Sequence, residues 1–321
     1  MTRTWHFALG AMLLLLFSGG CSIKLAYNNA DRLIRWNVDD YVDLTRPQKR
    51  FLTAELERLL YWHRTTQLPQ YASALERLNN DIANAVGGPD AVLVDDFNEF
   101  IETALLWGEV VEAKAHRTAS QILLSMTAEQ IRALPALLEK DNRKLLKDEE
   151  GKTLLENQAR WEKEVRKGLQ RFMGRLNKEQ KSFLHGQAQQ YEPERVLWVD
   201  YRRRWQAEML RLLQQRMNGE IDSESYVVAF EAHSDAREEY YGEFGGVWER
   251  NQTLGVATAA GLLVRMQSAQ QARFFESVED IAEDLFELVE EAEPEPPTPL
   301  AASECLRAHS SCPGAALNAL P

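Results

Sequence analysis

The chain has 321 residues, 45% of them hydrophobic, which is enough to bury a full core in one large domain or two smaller ones. The net charge of −12 is unevenly spread: after Arg273 there are 11 acidic residues and one basic residue, Arg307, so the rest is nearly neutral. A nucleic-acid binder would show a domain-wide basic excess, and the composition argues against that class.

The first twenty residues read as a processing signal. Arg3 supplies a positive start, and Phe7 to Phe17 is apolar except for Gly10. Ser18-Gly19-Gly20 is small enough for a peptidase cleft, and Cys21 follows. The apolar run is too short to cross a bilayer as a helix. The arrangement resembles a bacterial lipobox, with Ser18 where that motif usually has Leu. The resemblance implies removal of residues 1–20 and acylation of Cys21, palmitate included. In Gram-negative lipoproteins Asp after the cysteine retains the protein at the inner membrane; here Ser22 follows, which implies the outer membrane and a body facing the periplasm. An ordinary secretory signal is the alternative. Among later segments Leu254 to Val264 is the most apolar, and it is short and rich in Gly and Ala, so the expectation is an anchored protein that does not span.

From about residue 28 to residue 291, apolar residues recur every three or four positions, with almost no alternation. One stripe is Leu52, Leu56, Leu59 and Leu60; another is Phe97, Phe100, Ile101, Ala104 and Trp107; a third runs from Val196 to Leu213. Breakers between stripes are Pro69, Gly87-Gly88-Pro89, Gly151, Pro193, Asn218-Gly219 and Gly245-Gly246. The fold class is all-α, a multi-helix bundle over 21–291, followed by a Pro/Ala-rich tail over 292–321 whose composition is that of a disordered segment.

One local pattern recurs: Leu44-Thr45-Arg46-Pro47-Gln48, Met126-Thr127-Ala128-Glu129-Gln130, Leu176-Asn177-Lys178-Glu179-Gln180 and, more weakly, Met266-Gln267-Ser268-Ala269-Gln270. The first three read as capping boxes, in which the cap side chain accepts from a first-turn N–H and the Gln reaches back to the cap N–H. In the fourth, Gln267 is a poor cap and Ser268 is expected to replace it. The first two copies lie 82 residues apart and the last two 90, which suggests two related halves, 28–150 and 151–291.

Leu-Thr-x-x-Gln, as at Leu44 to Gln48, resembles the motif of the Spy/CpxP periplasmic proteins, which are helical and include an ATP-independent chaperone. A wider resemblance begins at Cys21-Ser22-Ile23-Lys24-Leu25-Ala26-Tyr27-Asn28-Asn29-Ala30-Asp31 and continues through Trp36 and Asp39-Asp40-Tyr41. These residues are similar to the start of a family of uncharacterised all-helical bacterial lipoproteins, known only as a domain of unknown function. That resemblance implies a lipoprotein and a helical fold, and brings no activity.

The candidate site residues are few. Lys163, Lys167, Arg171, Arg175 and Lys178 are spaced to share one side of a helix, opposite Trp161, Val165, Leu169, Phe172 and Leu176. They fit contact with an anionic surface or an acidic partner, or a solvated amphipathic face. Tyr201-Arg202-Arg203-Arg204-Trp205 is expected to pair and stack across helices. Cys305 and Cys312 are close enough in sequence for a small disulfide loop in an oxidising compartment, a pairing the sequence leaves open. His63, His116, His185, His233 and His309 include no helical pair that would grip a metal, and His63 beside Trp62 reads as a core histidine. Asp39, Asp40, Asp43, Asp95, Asp96 and Glu99 gather near helix ends, where they offset dipoles. Most tryptophans are expected in the core. No catalytic residue, metal site or cofactor is expected. The function that follows is a non-enzymatic binding or scaffold role at the envelope, attached to the membrane through its lipid, with the protein partner unknown. The alternatives are chaperone-like binding of unfolded envelope proteins and glycan hydrolysis by a carboxylate pair.

Overall fold

The computed structural model describes residues 21–85 and 90–292. The signal segment 1–20, the Gly87-Gly88-Pro89 breaker and the tail with Cys305 and Cys312 lie outside the described residues. Among the described residues all regular structure is helical, so the all-α multi-helix reading holds.

The longest feature is a helical hairpin. Helix α3 (Arg46–Trp62), a π-turn (His63–Gln67) and α4 (Leu68–Ala85) follow without a break, a run of roughly 60 Å at 1.5 Å per residue. Helix α5 (Asp90–Leu124) returns antiparallel to it: Tyr71 meets Trp107 with ring centroids 4.5 Å apart, and Gln48 reaches Ser125. The sequence predicts a break at Pro69, and the structure corrects this. Pro69 has no N–H to return to a carbonyl four residues back, and its ring crowds that carbonyl. The turn widens instead, the Leu68 N–H reaches the His63 carbonyl five residues back, and the helix continues. Likewise Gly245-Gly246 lies inside a helix; the chain breaks earlier, at Gly242, whose φ of +54° favours glycine.

The other helices pack along and around this hairpin. They are α1 (Cys21–Asn28), α2 (Ala30–Tyr41), α6 (Ala128–Lys147), α7 (Leu154–Met173), α8 (Lys178–Ala188), α9 (Arg195–Met217), α10 (Ser223–Asp235), α11 (Glu243–Leu263) and α12 (Ser268–Glu290). One core holds Ile23 and Tyr27 of α1, Leu68, Leu75 and Ile82 of α4, Met173, Leu176, Leu184, Leu262 and Met266, and the inner face of α12. The second holds Val38, Val42, Leu44, Phe51, Leu56, Ile122, Leu134, Leu212, Leu213, Tyr226 and Phe230. Each core draws on both sides of residue 150, so the sequence segments 28–150 and 151–291 interleave rather than fold apart.

The four recurring motifs are the starts of α3, α6, α8 and α12. In each, the Gln Oε1 accepts from the cap N–H, at 2.8 Å for Thr45 and Thr127, 2.9 Å for Asn177 and 3.0 Å for Gln267. The fourth cap is therefore Gln267, not Ser268: the return bond from Gln270 needs only the backbone N–H of the cap residue, which any side chain permits.

The motifs then meet in pairs. Gln48 and Gln130 exchange amide hydrogen bonds at 3.0 Å in both directions. Gln180 and Gln270 do the same at 3.1 Å. Each Nε2 spends its second proton on the carbonyl five residues before its partner: Gln48 on Ser125, Gln130 on Asp43, Gln180 on Arg265 and Gln270 on Arg175. The result is two pseudo-symmetric amide knots, each joining two helix–turn–helix elements, one knot in each core. Gly174, with φ +75°, makes the turn into the second.

Gln180 is fully buried, whereas Gln130 is half-buried. Gln180→Ala strands the Arg265 carbonyl, the Asn177 N–H and the Gln270 amide away from water, and is expected to cost roughly 3 kcal/mol. Gln130→Ala, where water can replace the lost partner, is expected to cost about 1 kcal/mol. Urea denaturation of both variants checks the order. Equal losses would mean that burial of the second knot carries no extra weight.

Candidate functional site

Three places carry the chemistry that the fold positions: the head of α1, the π-turn beneath it and the basic face of α7.

Cys21 is the first residue of α1, and the helix behind it is built into the body. Ile23 is 2% exposed and Tyr27 7%, both in the first core. Lys24 bridges Glu287 and Glu291 at the end of α12, the latter at 2.9 Å, and these hydrogen bonds push its ammonium pKa up. Arg64 donates to Asn28 Oδ1 at 2.7 Å. A group carried by Cys21 is thus joined to a helix held by apolar burial on one side and ion pairs on the other.

Beneath α1 lies the π-turn. His63 is 3% exposed, its Nδ1 3.1 Å from the Tyr27 hydroxyl, which also donates to the Leu60 carbonyl at 3.2 Å. The His63 ring stacks with Tyr27 and sits edge-on to Tyr71, which packs in turn on Trp107. Desolvation disfavours the imidazolium and holds the His63 pKa down to about 3; burial also pushes the Tyr27 and Tyr71 phenols up. A neutral imidazole sealed among aromatics offers no substrate a path to a proton, so His63 joins α1 to the hairpin.

On α7, Lys163, Lys167 and Arg171 occupy one exposed row. Arg175, in the turn whose carbonyl the second knot holds, and Lys178, the first residue of α8, extend the row as exposed side chains. Among the described residues Lys163, Lys167, Arg175 and Lys178 have no ion-pair partner. The opposite face of α7, Trp161, Val165, Leu169 and Phe172, packs on the first core. Arg273 of α12 joins the set from elsewhere in the chain, its Cδ lying 3.6 Å from the position a Cβ would take on Gly174. Sequence spacing missed it; the signal was the pairing of the third and fourth motifs, which brings the start of α12 beside the end of α7.

Other candidates are taken up by structure. Arg202 is buried and pairs with Asp141 at 2.9 Å, Arg203 grips Glu139, and Arg204 donates to the Tyr240 and Tyr241 carbonyls. Asp39 pairs with Lys49 at 3.3 Å. Trp36 is 63% exposed and Trp248 43%, and the other tryptophans of the body are half-buried, so the expectation of core tryptophans is corrected. An indole is wide enough to touch an apolar stripe with one edge and leave the other in water. No three His, Cys, Asp or Glu among the described residues are placed to hold a metal ion, and no described helix is long and apolar enough to cross a membrane.

The fold and these surfaces define an all-helical, two-core bundle closed by paired glutamine knots. The chain belongs to a family of unknown function, DUF6279, whose model matches residues 40–224, more than half of the chain and three of the four motifs. No curated protein and no solved structure matches it.

The low pKa of His63 has a stability consequence whose sign is fixed. The unfolded imidazole titrates near pH 6.5 and the folded one near 3, so between these values the unfolded state binds more protons. Stability is therefore expected to fall as pH drops below about 6.5. His233, also held down by burial, adds in the same direction. His63→Phe leaves Tyr27 bonded to Leu60 and is expected to flatten the stability slope between pH 6.5 and 5, above the range where carboxylates titrate. Urea midpoints across that window check it; an unchanged slope would place the pH dependence elsewhere.

Proposed function

We propose that this protein is a lipoprotein of the outer membrane, anchored through Cys21 and facing the periplasm, with a non-enzymatic binding or scaffold role. The observation that carries the reading is the construction of α1: the residue that the lipobox pattern marks for acylation opens a helix locked into the first core by Ile23, Tyr27 and Lys24. A lipid there holds the whole bundle at the surface, as a scaffold requires, instead of trailing it on a loose leader. The basic row of α7 with Arg273 supplies a contact face for an acidic partner, and its exposed lysines are not spent on internal ion pairs with described residues.

A second reading has its own observation. Leu105, Leu106 and Val110 of α5 are 41%, 60% and 49% exposed, an apolar strip of the kind that holds unfolded segments. Suppression of aggregation of several unrelated clients, reduced in Leu106→Ser/Val110→Ser, would favour this chaperone-like role.

The leading reading predicts that affinity capture from cross-linked envelopes returns the same partner repeatedly. Lys163→Glu/Lys167→Glu is expected to weaken that capture by about tenfold, or 1.4 kcal/mol. Repeated captures with no recurring partner would count against a scaffold.

A further inference from the structure

Three large apolar side chains stand exposed within sixteen residues of Cys21: Leu25 at 66%, Leu33 at 42% and Trp36 at 63%. They lie on α1 and α2, which are separated only by Asn29 and run almost as one helix. Leu25 comes one turn after the residue that opens α1, and Arg32 and Trp36 follow at seven and eleven residues beyond Leu25, spacings that return to the same side of a helix. Arg32 is exposed and has no ion-pair partner among the described residues. The opposite side is fully used: Ile23 and Tyr27 enter the first core and Val38 the second, while Arg35 reaches Thr53 of α3. The helix pair therefore lies along the hairpin, antiparallel to α3, with Tyr27 at Leu60 and His63, Arg35 at Thr53 and Asp39 at Lys49.

We propose that the outer face of α1 and α2, with Leu25, Leu33 and Trp36 as the apolar set and Arg32 as the phosphate contact, is a second membrane contact that lays the long side of the bundle on the phospholipid surface. The inference rests on the Cys21 anchor and adds an orientation to it. Continuity with the attachment point names the occupant: acyl chains at the first residue of α1 bring the next turns of the same helix to the headgroup layer, before any other part of the protein. An exposed indole about four turns from the anchor suits that layer, where one edge meets lipid and the N–H stays wet. Arg32 adds attraction to lipid phosphate without a large buried charge. Lys24 offsets Glu287 and Glu291, carboxylates that reach α1 and would otherwise repel an anionic surface.

The test uses the mature, detergent-extracted protein, with its acylation read from intact mass, reconstituted into phosphatidylethanolamine–phosphatidylglycerol vesicles with brominated acyl chains. Brominated lipid should quench tryptophan fluorescence in the wild type. Trp36→Phe should lose most of that quenching while remaining vesicle-bound, because no other tryptophan lies on α1 or α2. Equal quenching in the two acylated proteins would overturn the second contact and leave the anchor standing. A mass without acyl groups would overturn the anchor and the orientation together. Leu25→Ser/Leu33→Ser, which leaves Trp36 in place, should shift its emission to the red in vesicles if the apolar set seats the helix, and an unshifted spectrum would again count against it.

Discussion

The reciprocal glutamine pair is the constraint on which the rest of the structure depends. A primary amide has two donor protons and two acceptor lone pairs. In Gln48, Gln130, Gln180 and Gln270 all four are spent: the oxygen accepts from its own helix cap and from the partner, and the nitrogen donates to the partner and to a carbonyl in the partner's turn. A side chain satisfied in this way can be buried at little cost, and one left half-satisfied cannot. The pairing therefore selects which helix starts come together. It fixes α2–α3 against α5–α6 at one end of the hairpin and α7–α8 against α11–α12 at the other. The two cores fill in around those joints.

Much of this was legible in the sequence. The motifs marked helix starts because a capping box is a local device, read from five consecutive residues. The 82- and 90-residue spacings were read as a sign of two related halves, and the motifs they separate are the ones that meet in space. What the spacing did not carry was the bond itself, since nothing in a capping box requires its Gln to find another. Pro69 misled for a physical reason: proline penalises an α-turn but tolerates a wider one, and the aromatic packing around His63 favours keeping the helix whole. Trp36 misled because periodicity places a residue on a face without saying whether that face is covered. The Arg273 contribution to the basic row was hidden by its distance in sequence from Gly174.

The surfaces left over after packing give the molecule its functional character. His63 and the buried knot glutamines Gln48, Gln180 and Gln270 are bonded to side chains or backbone and serve the fold. Groups open to solvent include the basic row beside the second knot, the apolar face of α1 and α2, and the Leu105, Leu106 and Val110 strip of α5. The row meets α12 near Arg273 and α1 meets the same helix at Glu287, roughly 20 Å apart along its axis. On the proposed reading one end of α12 is tied to the membrane and the other presents cationic side chains to a partner, with a rigid helix holding the two at a set distance.

Everything functional in this account turns on Cys21. The most direct measurement is the intact mass of the protein extracted from native membranes by detergent, compared with Cys21→Ala. The expected result is a mature chain that starts at an acylated Cys21, and a variant that lacks the acyl mass and leaves the membrane fraction. A mature chain cut elsewhere and unmodified at Cys21 would contradict it.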